Sequence, residues 1–202
     1  MKLFKKIFLG CAFAFTLLVG STLTSCNSKE ADIISTCFAG YDFARAVKGE
    51  NNDLLLSMLL NPGSDLHDYD PSATDIKAIL HSKVFIYIGG ESDSEWVESD
   101  ILPKINKEKT KVVNMFDVVS GNALYEEEAP ESAEEDSEES EEEIEYDEHV
   151  WTSISNAKLI VNAIKDALNA IDSDNSETYT KNANNYINDL TEIDSNIRST
   201  IE

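Results

Sequence analysis

The sequence predicts an α/β lobe: a four-stranded parallel sheet with flanking helices, followed by a long helix. Three observations predict it. Short apolar, β-prone runs alternate with helical segments, Gly and Pro punctuate the junctions, and after residue 149 the apolar spacing switches to threes and fours.

The strands are expected at 32–36, 54–60, 84–88 and 111–115, each a short apolar run of the kind that a sheet covered on both faces buries. Helices are expected at 41–48, at 72–80 and around 95–101, with Gly49, Gly89-Gly90 and Pro103 as breaks. The resulting β-α-β-α-β-α-β order joins neighbouring strands by crossovers, which makes them parallel. Beyond His149, residues Ile160, Ala163, Ile164, Ala167, Leu168 and Ile171 form one apolar stripe, with Ser153 or Ser155 as the cap. A second helix is expected to start near Asp174, with Glu177 three residues on in a capping-box-like pattern. Its seam of Tyr179, Ala183, Tyr186, Leu190, Ile193 and Ile197 runs almost to residue 202, over roughly 39 Å. Such a helix outruns the sheet it packs on. The same seam, some three heptads long, could also serve a coiled-coil dimer.

The N-terminus sets the compartment. Lys2, Lys5 and Lys6 precede an apolar run at 7–19, too short for an ordinary membrane span, and Leu23-Thr24-Ser25 leads into Cys26. This is the pattern of a bacterial lipoprotein signal spanning 1–25, with Cys26 as the lipidated first residue of an exported chain. A plain secretory signal is the alternative, and either puts the mature chain outside the cytoplasm. Cys11 leaves with the signal and Cys26 is acylated, so Cys37 has no partner within the chain and no disulfide framework forms.

The net charge is −23, and fifteen of the 39 acidic residues fall within 126–148. A run so rich in carboxylates, Ser and Ala cannot bury a core, and it is expected to be a solvated, mobile insertion. A surface this acidic excludes nucleic acid as a partner and suits cations. Glu141, Glu142, Glu143, Glu145, Asp147 and Glu148 are the residues of this tract that could gather metal.

The chain has three histidines. His67 lies in the loop after the second strand and His149 ends the long segment after the fourth, so both fall at the carboxyl edge of a parallel sheet, where ligands bind. Each sits among carboxylates and an aromatic, as a metal ligand with supporting groups does. His81 precedes the third strand at the opposite edge and reads as structural. No Gly-x-Ser-x-Gly, His-Glu-x-x-His or phosphate loop is present, and no catalytic residue is assigned.

Several segments together resemble the metal-binding lipoproteins of bacterial ABC importers for zinc and manganese, the cluster A-I solute-binding proteins. Pro62-Gly63-Ser64-Asp65-Leu66-His67-Asp68-Tyr69-Asp70-Pro71 resembles the family's first ligand motif, and Gly89-Gly90-Glu91 through Glu95-Trp96 its Gly-x-Glu and Trp stretch. Asp147-Glu148-His149-Val150-Trp151 is similar to the Asp-Pro-His-x-Trp motif of the second ligand, with Glu148 in place of Pro. Tyr179-Thr180-Lys181-Asn182-Ala183 resembles the start of the family's connecting helix.

The resemblance implies two α/β lobes joined by a rigid helix, with metal held between them by His67 and His149 from this lobe and by a nitrogen or oxygen ligand and a carboxylate from the other. On that basis 26–172 is the N-terminal metal-binding lobe and 173–202 the start of the inter-lobe helix. The C-terminal lobe is absent from this sequence, which implies a truncated gene or a separately encoded C-terminal lobe. Zinc-specific members carry a His-rich acidic loop where this chain has the tract at 126–148, which holds no histidine; carboxylates favour harder ions than imidazole does. The implied function is capture of Zn²⁺, or alternatively Mn²⁺, outside the cytoplasm on a lipid anchor in the membrane, for delivery to an ABC-type permease. A surface-interaction or adhesion lipoprotein with a relic metal site is the competing reading, and a metallohydrolase lacks its third ligand and base.

Overall fold

The computed structural model describes residues 31–50, 52–61, 63–120 and 147–201. Four parallel strands, β1 (Ile33–Ser35), β2 (Leu56–Met58), β3 (Val84–Tyr87) and β4 (Lys111–Asn114), form one sheet in the order β2-β1-β3-β4. Register is set by Ile33 opposite Leu56 and Val84, and by Val84 opposite Lys111. Every residue of β1 and β3 is buried, as central strands covered on both faces require.

Alternate residues feed two separate cores. Ile33, Val84, Ile86 and Val113 face α1 (Phe38–Lys48), α5 (Ile154–Ile171) and the root of α6 (Ser176–Ile201). Ile34, Phe85 and Tyr87 face α2 (Ala73–His81) and the segment carrying Val97, Ile101 and Ile105. The sheet is thus wrapped on both sides. All three connections that leave the carboxyl ends of β2, β3 and β4 emerge at one edge.

The helices depart from expectation in detail. The first begins at Phe38 rather than at residue 41, and the third begins at Glu91, as α3 (Glu91–Trp96), before widening into one π-helical turn at Val97–Ile101. The fourth strand ends one residue early, because Asn114 turns its side chain to accept from Asp117 N–H at 3.0 Å and starts a short unforeseen helix, α4 (Met115–Val119). Of the two candidate caps of α5, Ser153 takes the role, accepting from Asn156 N–H at 3.5 Å. α2 carries a full capping box between Ser72 and Asp75. His81 ends that helix, exposed, with Nδ1 2.7 Å from the Lys77 carbonyl.

The expected capping box at Asp174 does not form. Asp172 instead accepts from Asn175 Nδ2 at 2.9 Å and from Tyr179 O–H at 2.5 Å, which tightens the chain into a 3₁₀ turn at Ser173–Asn175 before α6. Tyr179, fully buried, accepts in turn from Asn52 Nδ2 at 2.7 Å. Asn182 Nδ2 donates to the Val47 carbonyl at 3.1 Å, and Tyr186 packs edge-on against Phe43. The seam stops there. Ile193, Ile197 and Ile201 are exposed, so only the first half of this 26-residue helix, about 39 Å long, contributes to the core.

This division predicts unequal mutations. Tyr179→Phe removes two partly buried hydrogen bonds and should cost about 1–2 kcal/mol in urea denaturation, whereas Ile197→Ala should change stability by under about 0.5 kcal/mol. The hydrogen bond from Tyr179, then that from Asn175, holds the Asp172 carboxyl below its ordinary value. A depressed carboxyl stabilises the fold fully above the unfolded value of about 3.9 and loses that contribution as pH falls through the folded one. The gap between wild type and Tyr179→Phe should therefore narrow as pH drops from 6 to 2.

Candidate metal centre

A buried carboxylate frames this edge of the sheet. Asp93, in the first turns of α3, is wholly buried and accepts from Thr36 Oγ1 at 2.9 Å and from the Ile88 and Gly89 amides at 2.8 Å each. Burial pushes its carboxyl above the ordinary range, against the pull of these donors. The bonds tie the end of β1 to the turn after β3. Gly89 in that turn has φ +83°, and a Cβ there would lie 2.0 Å from Asn114 Oδ1, so no other residue fits.

His67 comes from the loop after β2, where Leu66 is anchored against the core and Asp65 Oδ1 accepts the His67 amide at 3.1 Å. His149 comes from the far end of the segment after β4. Buried Val150 fixes it on one side, and Trp151 packs edge-on against its ring with centroids 5.4 Å apart. Asp147 Oδ1 sits 3.0 Å from His149 Nδ1 and also accepts the His149 amide at 2.8 Å. That contact leaves Nε2 of His149 as the nitrogen without this partner, the usual arrangement for a ligand imidazole.

The two rings meet. Their centroids lie 6.5 Å apart, and one ligand atom from each of His67, Glu148 and His149 falls within 4.8 Å of the others. Among the described residues this is the one group of three such side chains close enough to share an ion. Asp147 stands beside the group, in contact with its histidine; Cys26, Glu141, Glu142, Glu143 and Glu145 lie outside the described residues, and His81 lies away from the cluster. A cavity of about 450 Å³ adjoins it, lined on its apolar side by Cys37, Met58, Leu60, Ile88 and Trp151. Burial raises the Cys37 thiol above its ordinary value, which keeps it a packing group rather than a thiolate ligand.

Ser92 escaped the sequence reading, and Glu148, named there as a possible metal-gathering residue, was expected in solvent. Ser92 Oγ sits 3.0 Å from His67 Nδ1 and also bonds Glu148 Oε1, while the Ser92 amide donates to Glu148 Oε2 at 2.9 Å. Glu148, read as part of a solvated tract, has a side chain only 9% exposed. The signal for Ser92 was its place just after a buried strand and two glycines, at the ligand-binding edge.

The sequence profile of the family described as ZnuA, zinc-uptake complex component A, periplasmic, matches residues 33–202. The chain belongs to this family. The zinc-binding lipoprotein AdcA of Streptococcus pneumoniae (strain R6) is 31% identical over 177 residues, covering 85% of this chain and 34% of that protein. The iron ABC transporter substrate-binding lipoprotein MtsA of Streptococcus pyogenes serotype M1 is 26% identical over 201 residues, covering 96% of this chain and 60% of that one. Against the crystal structure of Zn(II)-bound AdcA from Streptococcus pneumoniae the TM-score is 0.61 at 27% identity, over 82% of this chain and 32% of that one. The chain thus spans about a third of the length of its AdcA relatives.

The packing of Glu148 against a glycine supplies a test. A Cβ on Gly90 would approach Glu148 Cβ to 2.3 Å and Oε2 to 2.6 Å. Gly90→Ala should expel the Glu148 side chain from its place and cost about 1–3 kcal/mol, read by urea denaturation.

Proposed function

We propose that this chain is the metal-capturing lobe of an extracytoplasmic, lipid-anchored binding protein that takes up Zn²⁺, with Mn²⁺ as the alternative, for an ABC-type importer in the membrane. The observation that carries the reading is the meeting of His67 and His149, 82 positions apart in sequence, with ring centroids 6.5 Å apart at the ligand-binding edge of the sheet. Family membership supports a binding role, and capture with hand-over asks for no bond chemistry, so no residue is given a catalytic part. Zinc is favoured because imidazole suits it, and because the AdcA relatives are named zinc-binding; MtsA is named for iron, which keeps harder and redox-active ions in play.

Residues 26–172 form the capturing lobe in this reading, and 173–202 begin the helix that leads to a second lobe, on the same chain or separately encoded. Zinc in closed sites is held by four donors, and the second lobe supplies those that this one lacks. Residues 126–148 attract cations by charge, and Cys26 carries the lipid. The described residues contain no helix long and apolar enough to cross a membrane.

Calorimetric titration with Zn²⁺ tests the site. His67→Ala and His149→Ala should each remove the specific component, His81→Ala should leave it, and the acidic tract should add a diffuse weak background. Protons compete for ligand imidazoles, so binding should weaken as pH falls from 7 to 5. Identical isotherms for wild type and the double histidine variant would overturn the reading. For the anchor, a radiolabelled fatty acid should appear on the wild-type protein in cells and not on Cys26→Ser; an unlabelled wild type sinks that part.

A further inference from the structure

Glu148 is the feature that two-histidine capture leaves unexplained. Its carboxylate is almost fully enclosed, and among the described residues the ion pairs of Lys and Arg are made with Asp42, Asp32, Asp100, Asp166 and Asp194. Among the described residues its ion-pair contact is with the imidazole of His67, and a carboxylate enclosed without Lys or Arg is costly. What faces it is Ser92 and the Nε2 atom of His67, 3.4 Å from Oε1.

That distance is informative. Two donors bound to one tetrahedral zinc at about 2.0–2.2 Å stand roughly 3.3–3.5 Å apart. The hydrogen bonds point the same way. Ser92 Oγ bonds Glu148 Oε1 and also lies 3.0 Å from His67 Nδ1, so one hydroxyl holds both side chains and leaves Nε2 of the ring facing Glu148 Oε1.

Resting on the metal-capture reading above, we infer that Glu148 is a third metal ligand, donating Oε1 beside Nε2 of His67 and a nitrogen of His149, with Ser92 as the residue that positions it. The Ser92 amide holds Oε2 and so aims Oε1 at the ion, while Ser92 Oγ holds Nδ1 of His67 and so aims Nε2. This lobe then carries a His₂-carboxylate set of its own, three donors with one coordination position left open. It can take a divalent transition metal first and complete the shell afterwards. The carboxylate also offsets one of the ion's two charges in a site where His67 and His149 bring none.

The test uses the full chain in mild detergent, with Co²⁺ absorption as a reporter of coordination and Zn²⁺ calorimetry for affinity. Glu148→Gln should weaken Zn²⁺ binding by about 100-fold or more, since a lost ligand costs at least as much as an outer-shell partner, and should shift the Co²⁺ d–d bands, since a neutral amide oxygen replaces the anionic carboxylate. Ser92→Ala should weaken binding by about 10-fold while keeping the band pattern, because the ligands themselves remain. Glu148→Asp keeps the charge on a shorter arm and serves as the second variant should the Gln form misfold by circular dichroism; it too should shift the bands. Wild-type bands with affinity within about threefold in the folded Glu148 variant would overturn the assignment. If instead the wild type and the double histidine variant bind alike, capture itself fails, and that outcome is separate from a failure confined to Glu148.

Discussion

The carboxylate of Asp93 holds the working edge of this lobe together. It gathers the Thr36 hydroxyl and two consecutive amides into one buried knot, and through them fixes the turn after β3 against the end of β1. Gly90 and Ser92 lie within three residues of it, and they are the backbone and side chain on which Glu148 and His67 rest. A carboxyl group so enclosed is tolerated because its donors are preorganised, two of them amides of the turn that follows β3. Loosening the knot would move the glycine turn first and the two imidazole rings with it.

The fold was largely legible because it is encoded locally. Uninterrupted apolar runs announced the strands, and alternation with helices announced that they were parallel, which in turn put residues 67 and 149 at one edge. The helix ends were less legible, since they are decided by single polar contacts. Asn114 starts a helix where apolar pattern suggested more strand, and Asp172 rather than Asp174 shapes the entry to α6.

The site was half legible for a physical reason. Histidines near aromatics stand out in any sequence, whereas Glu148 closes a tract of carboxylates and Asp93 lies in Glu-Ser-Asp-Ser-Glu, both of which read as solvated surface. What turns them inward is distant. Glu148 owes its burial to the missing side chain of Gly90 and to Ser92, 56 residues away, and Asp93 owes its own to Thr36, 57 residues away. Pairings at that separation leave no periodic trace, and a carboxylate among carboxylates is camouflaged by its neighbours.

Helix α6 is gripped at one end only. Its root is clamped by Tyr179, Asn182 and Tyr186, while the turns beyond Leu190 touch nothing in the described lobe that buries them. Such a helix is a lever arm with a short fulcrum and about 16 Å of free length. Rotating it by about 10° at the root carries its tip through about 3 Å. Small adjustments where α5 turns into α6 are therefore magnified at the far end, and the hydrogen bonds around Tyr179 set the angle at which anything borne by that arm meets the edge that carries His67 and His149.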